Sequence, residues 1–388
     1  MAMSTVDLYN LNPILQVMGA GLAFALLPLT WWVWRHRHAP GGRRLQALTI
    51  LTLFLTFDLI LFGAFTRLTD SGLGCPDWPG CYGSATPMGA QQHIDAAQSA
   101  MPTGPVTHGK AWIEMVHRYL ATGVGVLILS LSVMTWRLRR KDPAHAVSAW
   151  WPTFTLLWVC MQGAFGALTV TMKLFPAIVT LHLLFGIGLL ALLAAQAVRY
   201  EGWQSRLVPS GWRKGLWLAY ALLWLQIALG GWVSTNYAVL ACTGFPSCNG
   251  TWLPTLDWQG FALWRDLGHT VHGEVLPFVA LTTIHFVHRS AAWMVLAALV
   301  AVAWGLQRVP SMQKLAHAVW ALAALQLATG LSNVVLDWPL VAAVLHTGGA
   351  SALVLVLTWA LCISRSDSVS SSGPVAGERS SFDSRPAA

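Results

Sequence analysis

Long apolar runs broken by short polar stretches alternate along the whole 388-residue chain. Nine of them reach the ~20 residues that a membrane-spanning helix needs, at 13–34, 45–67, 112–136, 148–171, 176–199, 214–236, 279–305, 315–335 and 339–362. The pattern predicts an all-α polytopic membrane protein. The first run is too long for a cleavable signal and no Lys or Arg precedes it, whereas Arg35, Arg37, Arg43 and Arg44 follow it.

Composition agrees, with 55% hydrophobic and only 10% charged residues; soluble domains carry about 25% charged residues. The net charge of +8 sits in short groups beside the apolar runs, as membrane orientation requires, and no nucleic-acid partner is expected. Loops 35–44, 137–147, 200–213 and 306–314, with the adjoining Arg199 and Lys214, hold 14 Lys and Arg. The opposite loops hold only Lys110, Lys173 and Arg265. Positive loops stay in the cytoplasm. Both long loops, 68–111 and 237–278, therefore face outward and the C-terminus inward. The tail from Ser364, rich in Ser, Gly and Pro, reads as disordered.

The chain is also doubled. Two cysteine pairs, Cys75/Cys81 and Cys242/Cys248, are offset by 167 residues, and His117-Arg118 and His288-Arg289 by 171. Gln162 to His182 and Gln326 to His346 are both intervals of 20. A polar residue followed by glycine recurs at Asp58/Gly63, Gln162/Gly166, Gln226/Gly230 and Gln326/Gly330. These polar residues suit interhelical hydrogen bonds beside small-residue contacts, while Asp58, an acid within an apolar run, points to function. The expected organisation is two tandem four-helix bundles from an internal repeat, at 45–199 and 200–363. An extra N-terminal transmembrane helix with its basic loop precedes them at 1–44, and the tail at 364–388 follows.

Histidines mark both units. His117, His182, His288 and His346 each lie five to nine residues inside the outer end of a run, which sets all four at a depth of roughly 8–14 Å. An unpartnered imidazole in a bilayer is costly, so four of them at one depth point to two bis-histidine heme irons. Arg118 and Arg289 each follow a ligand and Arg67 closes its helix, positions suited to anionic heme propionates. The halves differ at one chemical position: Glu114 precedes His117 by three residues where the second half has His285. A carboxylate beside one heme can accept protons or stabilise positive charge during oxidation.

An oxidising exterior permits disulfides. Cys75/Cys81 and Cys242/Cys248 are read either as structural staples or as redox-active pairs passing electrons to a heme. Cys160 and Cys362, inside apolar runs, are read as small core residues.

The segments Gly63-Ala64-Phe65-Thr66-Arg67-Leu68-Thr69 and Ser71-Gly72-Leu73-Gly74-Cys75-Pro76-Asp77-Trp78-Pro79, then Cys81, Glu114-x-x-His117-Arg118 and the duplicated second half, resemble heme A synthase over roughly 45–362. The resemblance implies a membrane oxidoreductase of the bacterial inner membrane that converts a porphyrin methyl of heme O, through an alcohol, into the formyl group of heme A. It implies that His117 and His182 bracket substrate heme O, with Arg118 and Arg67 beside it, and that Glu114 and His117 are catalytic. By the same resemblance His288 and His346 ligate a heme b cofactor, and Cys75 and Cys81 form a redox-relevant pair. Heme O synthase, oxidase assembly factors and membrane lipid are the implied partners. The helix at 13–34 is additional to the usual eight and carries nothing chemical. The residues themselves leave two other classes open, a two-heme electron-transfer cytochrome and a heme transporter or assembly chaperone.

Overall fold

The computed structural model describes residues 12–143, 148–201 and 205–366. Among these residues nine helices are long and apolar enough to cross a membrane. They are α1 (Asn12–Arg35), α2 (Gly41–Leu68), α4 (His108–Lys141), α5 (Trp150–Thr171), α6 (Pro176–Glu201), α7 (Ser210–Thr235), α8 (Phe278–Gln307), α9 (Gln313–Val335) and α10 (Leu340–Ile363). The remaining helix, α3 (Gln91–Ala100), is short and lies in the loop between α2 and α4.

Proline starts several of these helices. Pro40, Pro209, Pro277 and Pro339 immediately precede α2, α7, α8 and α10, where a missing N–H costs nothing and the fixed φ suits the first turn. Within the spans, hydroxyls find partners on their own helix: Thr49, Thr52 and Thr56 each donate to the carbonyl four residues back. In an apolar medium that removes the penalty of an unpaired hydroxyl.

The helices pack around two centres. α2 and α5 both contact α4 and α6, and α7 and α9 both contact α8 and α10. The two groups meet through α6 against α7 and α10, and through α10 against α2. The contacts between groups are close: Leu61 fills the space over Gly348, and Gly231 lies against Thr180 and Leu183. Polar pairs cross the same boundary, Thr180 with Thr235 at 3.2 Å among them.

α1 lies along α4, burying Val17, Gly21, Ala25 and Trp32. Gly21 allows the approach, since a side chain there would overlap Thr122.

Two sequence expectations change here. The tail does not begin as free chain at Ser364. Strand β2 (Ser364–Ser366) pairs in parallel with β1 (Arg206–Val208), and residues 367–388 of the expected disordered tail lie outside the described residues. Cys160 and Cys362 are exposed rather than in the core, and Cys160 stands in the wall of a cavity between the two helix groups.

Candidate functional site

One cavity of about 980 Å³ runs between the two helix groups and holds His117, His182, His288 and His346 in its walls. Its lining is dominated by apolar side chains; besides the four histidines, the charged or titratable wall groups are Glu114, Arg67, Arg118, His285, Arg289 and the free thiol of Cys160.

Each histidine ring rests on a glycine of a neighbouring helix. A methyl group at Gly63, Gly166, Gly230 or Gly330 would stand 3.0, 3.2, 2.9 or 3.3 Å from Cε1 of His117, His182, His288 or His346. The repeated glycines are thus the seats of the four rings. Three of the preceding polar residues hold the same histidines. The Nε2 amides of Gln162, Gln226 and Gln326 donate to the backbone carbonyls of His182, His288 and His346 at 3.0, 3.0 and 2.9 Å.

Asp58 does not join this set. It makes no hydrogen bond among the described residues and is exposed on the outer side of α2, in line with Ile50 and Phe54. Its interval to Gly63 is five residues where the glutamines stand four before their glycines, and one residue turns a helix by about 100°. The position that matches Gln226 in the first half is Leu59.

The two halves therefore support their rings differently. In the second half the Gln226 amide lies 3.1 Å from Nδ1 of His288, and Thr329 Oγ1 lies 2.9 Å from Nδ1 of His346. In the first half, among the described residues, Nδ1 of His117 and Nδ1 of His182 are both buried with no side-chain hydrogen-bond partner. Leu59 and Phe165 occupy the places of Gln226 and Thr329. His117 is flanked instead by the ring of Phe62, stacked at 6.1 Å.

Both cysteine pairs are disulfides, and the arginines after the histidines clamp the loops that carry them. Arg118 Nη1 donates to the carbonyls of Asp77, Pro79 and Gly80 at 3.1, 3.0 and 2.7 Å, while Nη2 pairs with Glu114. Arg289 reaches the Cys242 carbonyl at 3.1 Å and the Gly244 carbonyl at 2.9 Å. The arginine donors thus point largely into the loops, a use that the propionate reading of the sequence does not contain. Glu114 is buried, 4% exposed, and its other oxygen accepts the Cys75 N–H at 2.8 Å.

Arg67 joins the two halves. Its Nη2 donates to the Ser234 carbonyl at 2.6 Å, and its guanidinium lies 4.2 Å over the ring of Tyr237. Tyr237 in turn donates to Asp70 at 2.5 Å. Burial raises the Tyr237 phenol above its ordinary value, which keeps the proton for this bond. One contributor is not legible in the sequence: Val17 and Met18 of α1 also line the cavity, beside α4.

The family model for COX15-CtaA, cytochrome oxidase assembly protein, matches residues 46–358. The chain belongs to this family. The matched region runs from within the first turns of α2 through most of α10, holds every cavity histidine, and leaves α1 outside. The chain is similar to family members of known name. It is 40% identical over 313 residues to a heme A synthase of Shewanella oneidensis, covering 79% of this chain and 92% of that protein. It is 27% identical over 335 residues to a heme A synthase of Halalkalibacterium halodurans, covering 82% and 95%. A heme A synthase of Caulobacter vibrioides is 28% identical over 331 residues, covering 78% and 91%.

Proposed function

We propose that this COX15-CtaA family member is a heme A synthase, a multi-pass membrane oxidoreductase that takes heme O as substrate and yields heme A for terminal oxidases. The reaction converts one porphyrin methyl into a formyl group. We assign the first helix group, 45–199, to the substrate, with His117 and His182 facing its iron. The second group, 200–363, then holds a resident heme b between His288 and His346. The two groups are read as tandem four-helix bundles, with both disulfide loops on the periplasmic side and the C-terminus in the cytoplasm. The Lys and Arg excess in the opposite loops supports that orientation.

The residues fit two hemes. Each half offers paired imidazoles seated on glycine, in an apolar cavity, with arginine nearby. A resident heme b supplies one-electron transfer when bound. The chain's own residues do the rest. His117 and His182 orient the substrate, and the apolar walls limit water. Glu114, fixed by Arg118 and the Cys75 N–H, is set to receive a proton or balance positive charge at the porphyrin edge. Arg118 and Arg67 act beside the substrate, Arg118 by positioning Glu114 and the first loop. Cys75/Cys81 and Cys242/Cys248 brace the two loops against their arginines, and redox exchange through Cys75/Cys81 is part of the proposal.

The difference in ring support carries the division of labour. Gln226 and Thr329 fix His288 and His346, as a permanent cofactor needs. Leu59 and Phe165 leave His117 and His182 without that support, as suits a heme that must enter, react and leave.

Heme analysis of four variants tests the assignment. His117→Ala and His182→Ala are expected to lose heme O and heme A while keeping heme b. His288→Ala and His346→Ala are expected to lose heme b. Retention of the heme b spectrum by His346→Ala would overturn the ligand assignment.

A further inference from the structure

The α4 and α8 walls of the shared cavity end nearly level, at Leu129 and Leu299, but the α5 and α9 walls do not. In the first half the cavity continues between α4 and α5, inward from the histidines, as far as Leu129 and Leu156. In the second half the α9 wall ends at Gln326, and Trp320 and Ala323, which match Leu156 and Val159, take no part in it. Leu156 lies six residues inward of Gln162, so the α5 wall reaches about 9 Å deeper than the α9 wall.

Glycines open that extension. Gly125 of α4 and Gly163 of α5 both line the cavity, and a methyl group on either would meet nothing within 4 Å. Neither glycine is needed for helix packing, and glycine inside a helix costs about 1 kcal/mol relative to alanine. At the matching second-half positions, offset 171 and 164, stand Leu296 and Leu327. A third position runs the same way, with Thr122 where the second half has Trp293. The extension is apolar and lies on the same cavity as Nδ1 of His117, which is buried with no hydrogen-bond partner among the described residues.

We propose that the α4–α5 gap, kept open by Gly125 and Gly163, is the subsite for the long isoprenoid chain of heme O and the lateral route by which that substrate comes from lipid. The proposal rests on the substrate assignment of the first half. Heme b lacks such a chain, and Leu296 and Leu327 project leucine side chains into the cavity wall at the corresponding positions, narrowing it where heme b is assigned. Cys160 and Gly163 are both exposed at the mouth of the gap, on the lipid side of α5. A porphyrin held between His117 and His182 near the outer face would send its apolar chain inward, toward the middle of the bilayer.

The test is uptake of two hemes by the full-length purified chain carrying Gly125→Leu, Gly163→Leu or both. Detergent-solubilised heme O and heme b are offered separately, and bound heme is counted by mass spectrometry of extracts. The double variant is expected to take up heme O in the first half about tenfold or more less readily, because two leucines fill the space of several buried methylenes. Uptake of chain-free heme b by the same site is expected to stay within about twofold, and the second-half heme b to remain bound as the sign of a folded protein. Should the double variant lose that second heme, each single variant decides, with the same expectation.

Unaltered heme O uptake in a folded variant would overturn the proposal and leave the substrate assignment standing. Equal loss of both hemes would overturn it too, since the glycines would then serve the porphyrin ring. Failure of the unsubstituted chain to bind heme O at all would instead refute the proposed function.

Discussion

Glu114 accepts a hydrogen bond from the backbone N–H of Cys75 at 2.8 Å, which ties the one carboxylate in the cavity wall to the first disulfide loop. Arg118 closes the unit by pairing with Glu114 and holding three carbonyls of the same loop. Acid, arginine and disulfide form a single structural group beside His117.

Glu114→Gln keeps the shape of this group and removes its charge. Heme A formation is expected to fall about 100-fold or more, the usual scale for loss of a positioned acid–base group. The heme b spectrum is expected to persist. Normal heme A yield, read by chromatography of extracted hemes, would remove Glu114 from the chemistry.

Arg118→Lys tests the clamp. A lysine ammonium is a point donor and cannot span Glu114 and the carbonyls of Asp77, Pro79 and Gly80 at once. Limited proteolysis within residues 76–86 is expected to accelerate, with lower heme A formation and unchanged heme b. Equal proteolysis rates in variant and parent would show that the loop stands without the arginine.

Gln226→Leu and Thr329→Phe give the second-half rings the surroundings of the first. Loss of such supporting bonds typically costs 10–100-fold in metal affinity, so heme b is expected to transfer to an apoglobin acceptor about that much faster. An unchanged transfer rate in both variants would contradict the division between resident and exchanging sites.

Gly230→Ala places a methyl 2.9 Å from Cε1 of His288, so the ring must shift. A displaced heme b absorption maximum or weaker retention is expected. Gly211→Ala, on the same helix with nothing within 4 Å, is the control and is expected to leave the spectrum unaltered.

Much of this architecture is readable in the chain. Runs of ~20 apolar residues locate all the spanning helices because length alone sets that signal. The equal spacings Gln162–His182 and Gln326–His346 anticipate two hydrogen bonds of nearly equal length. Facing is harder to read, since a helix apolar on every side shows no preferred face. Asp58 consequently reads as a site residue although it points outward, and Cys160 as core although it is exposed. The loop contacts of Arg118 and the β1–β2 pairing join segments distant in sequence, and no local pattern encodes them. The part of α1 in the cavity wall is of the same kind.

The central claim is that one half carries a substrate heme and the other a permanent one. Mass spectrometry of hemes extracted from the purified chain, produced together with a supply of heme O, tests it most directly. The account predicts one heme b per chain accompanied by heme O, its hydroxylated intermediate or heme A. Two heme b per chain and nothing else would contradict it and make the protein a two-heme electron-transfer cytochrome.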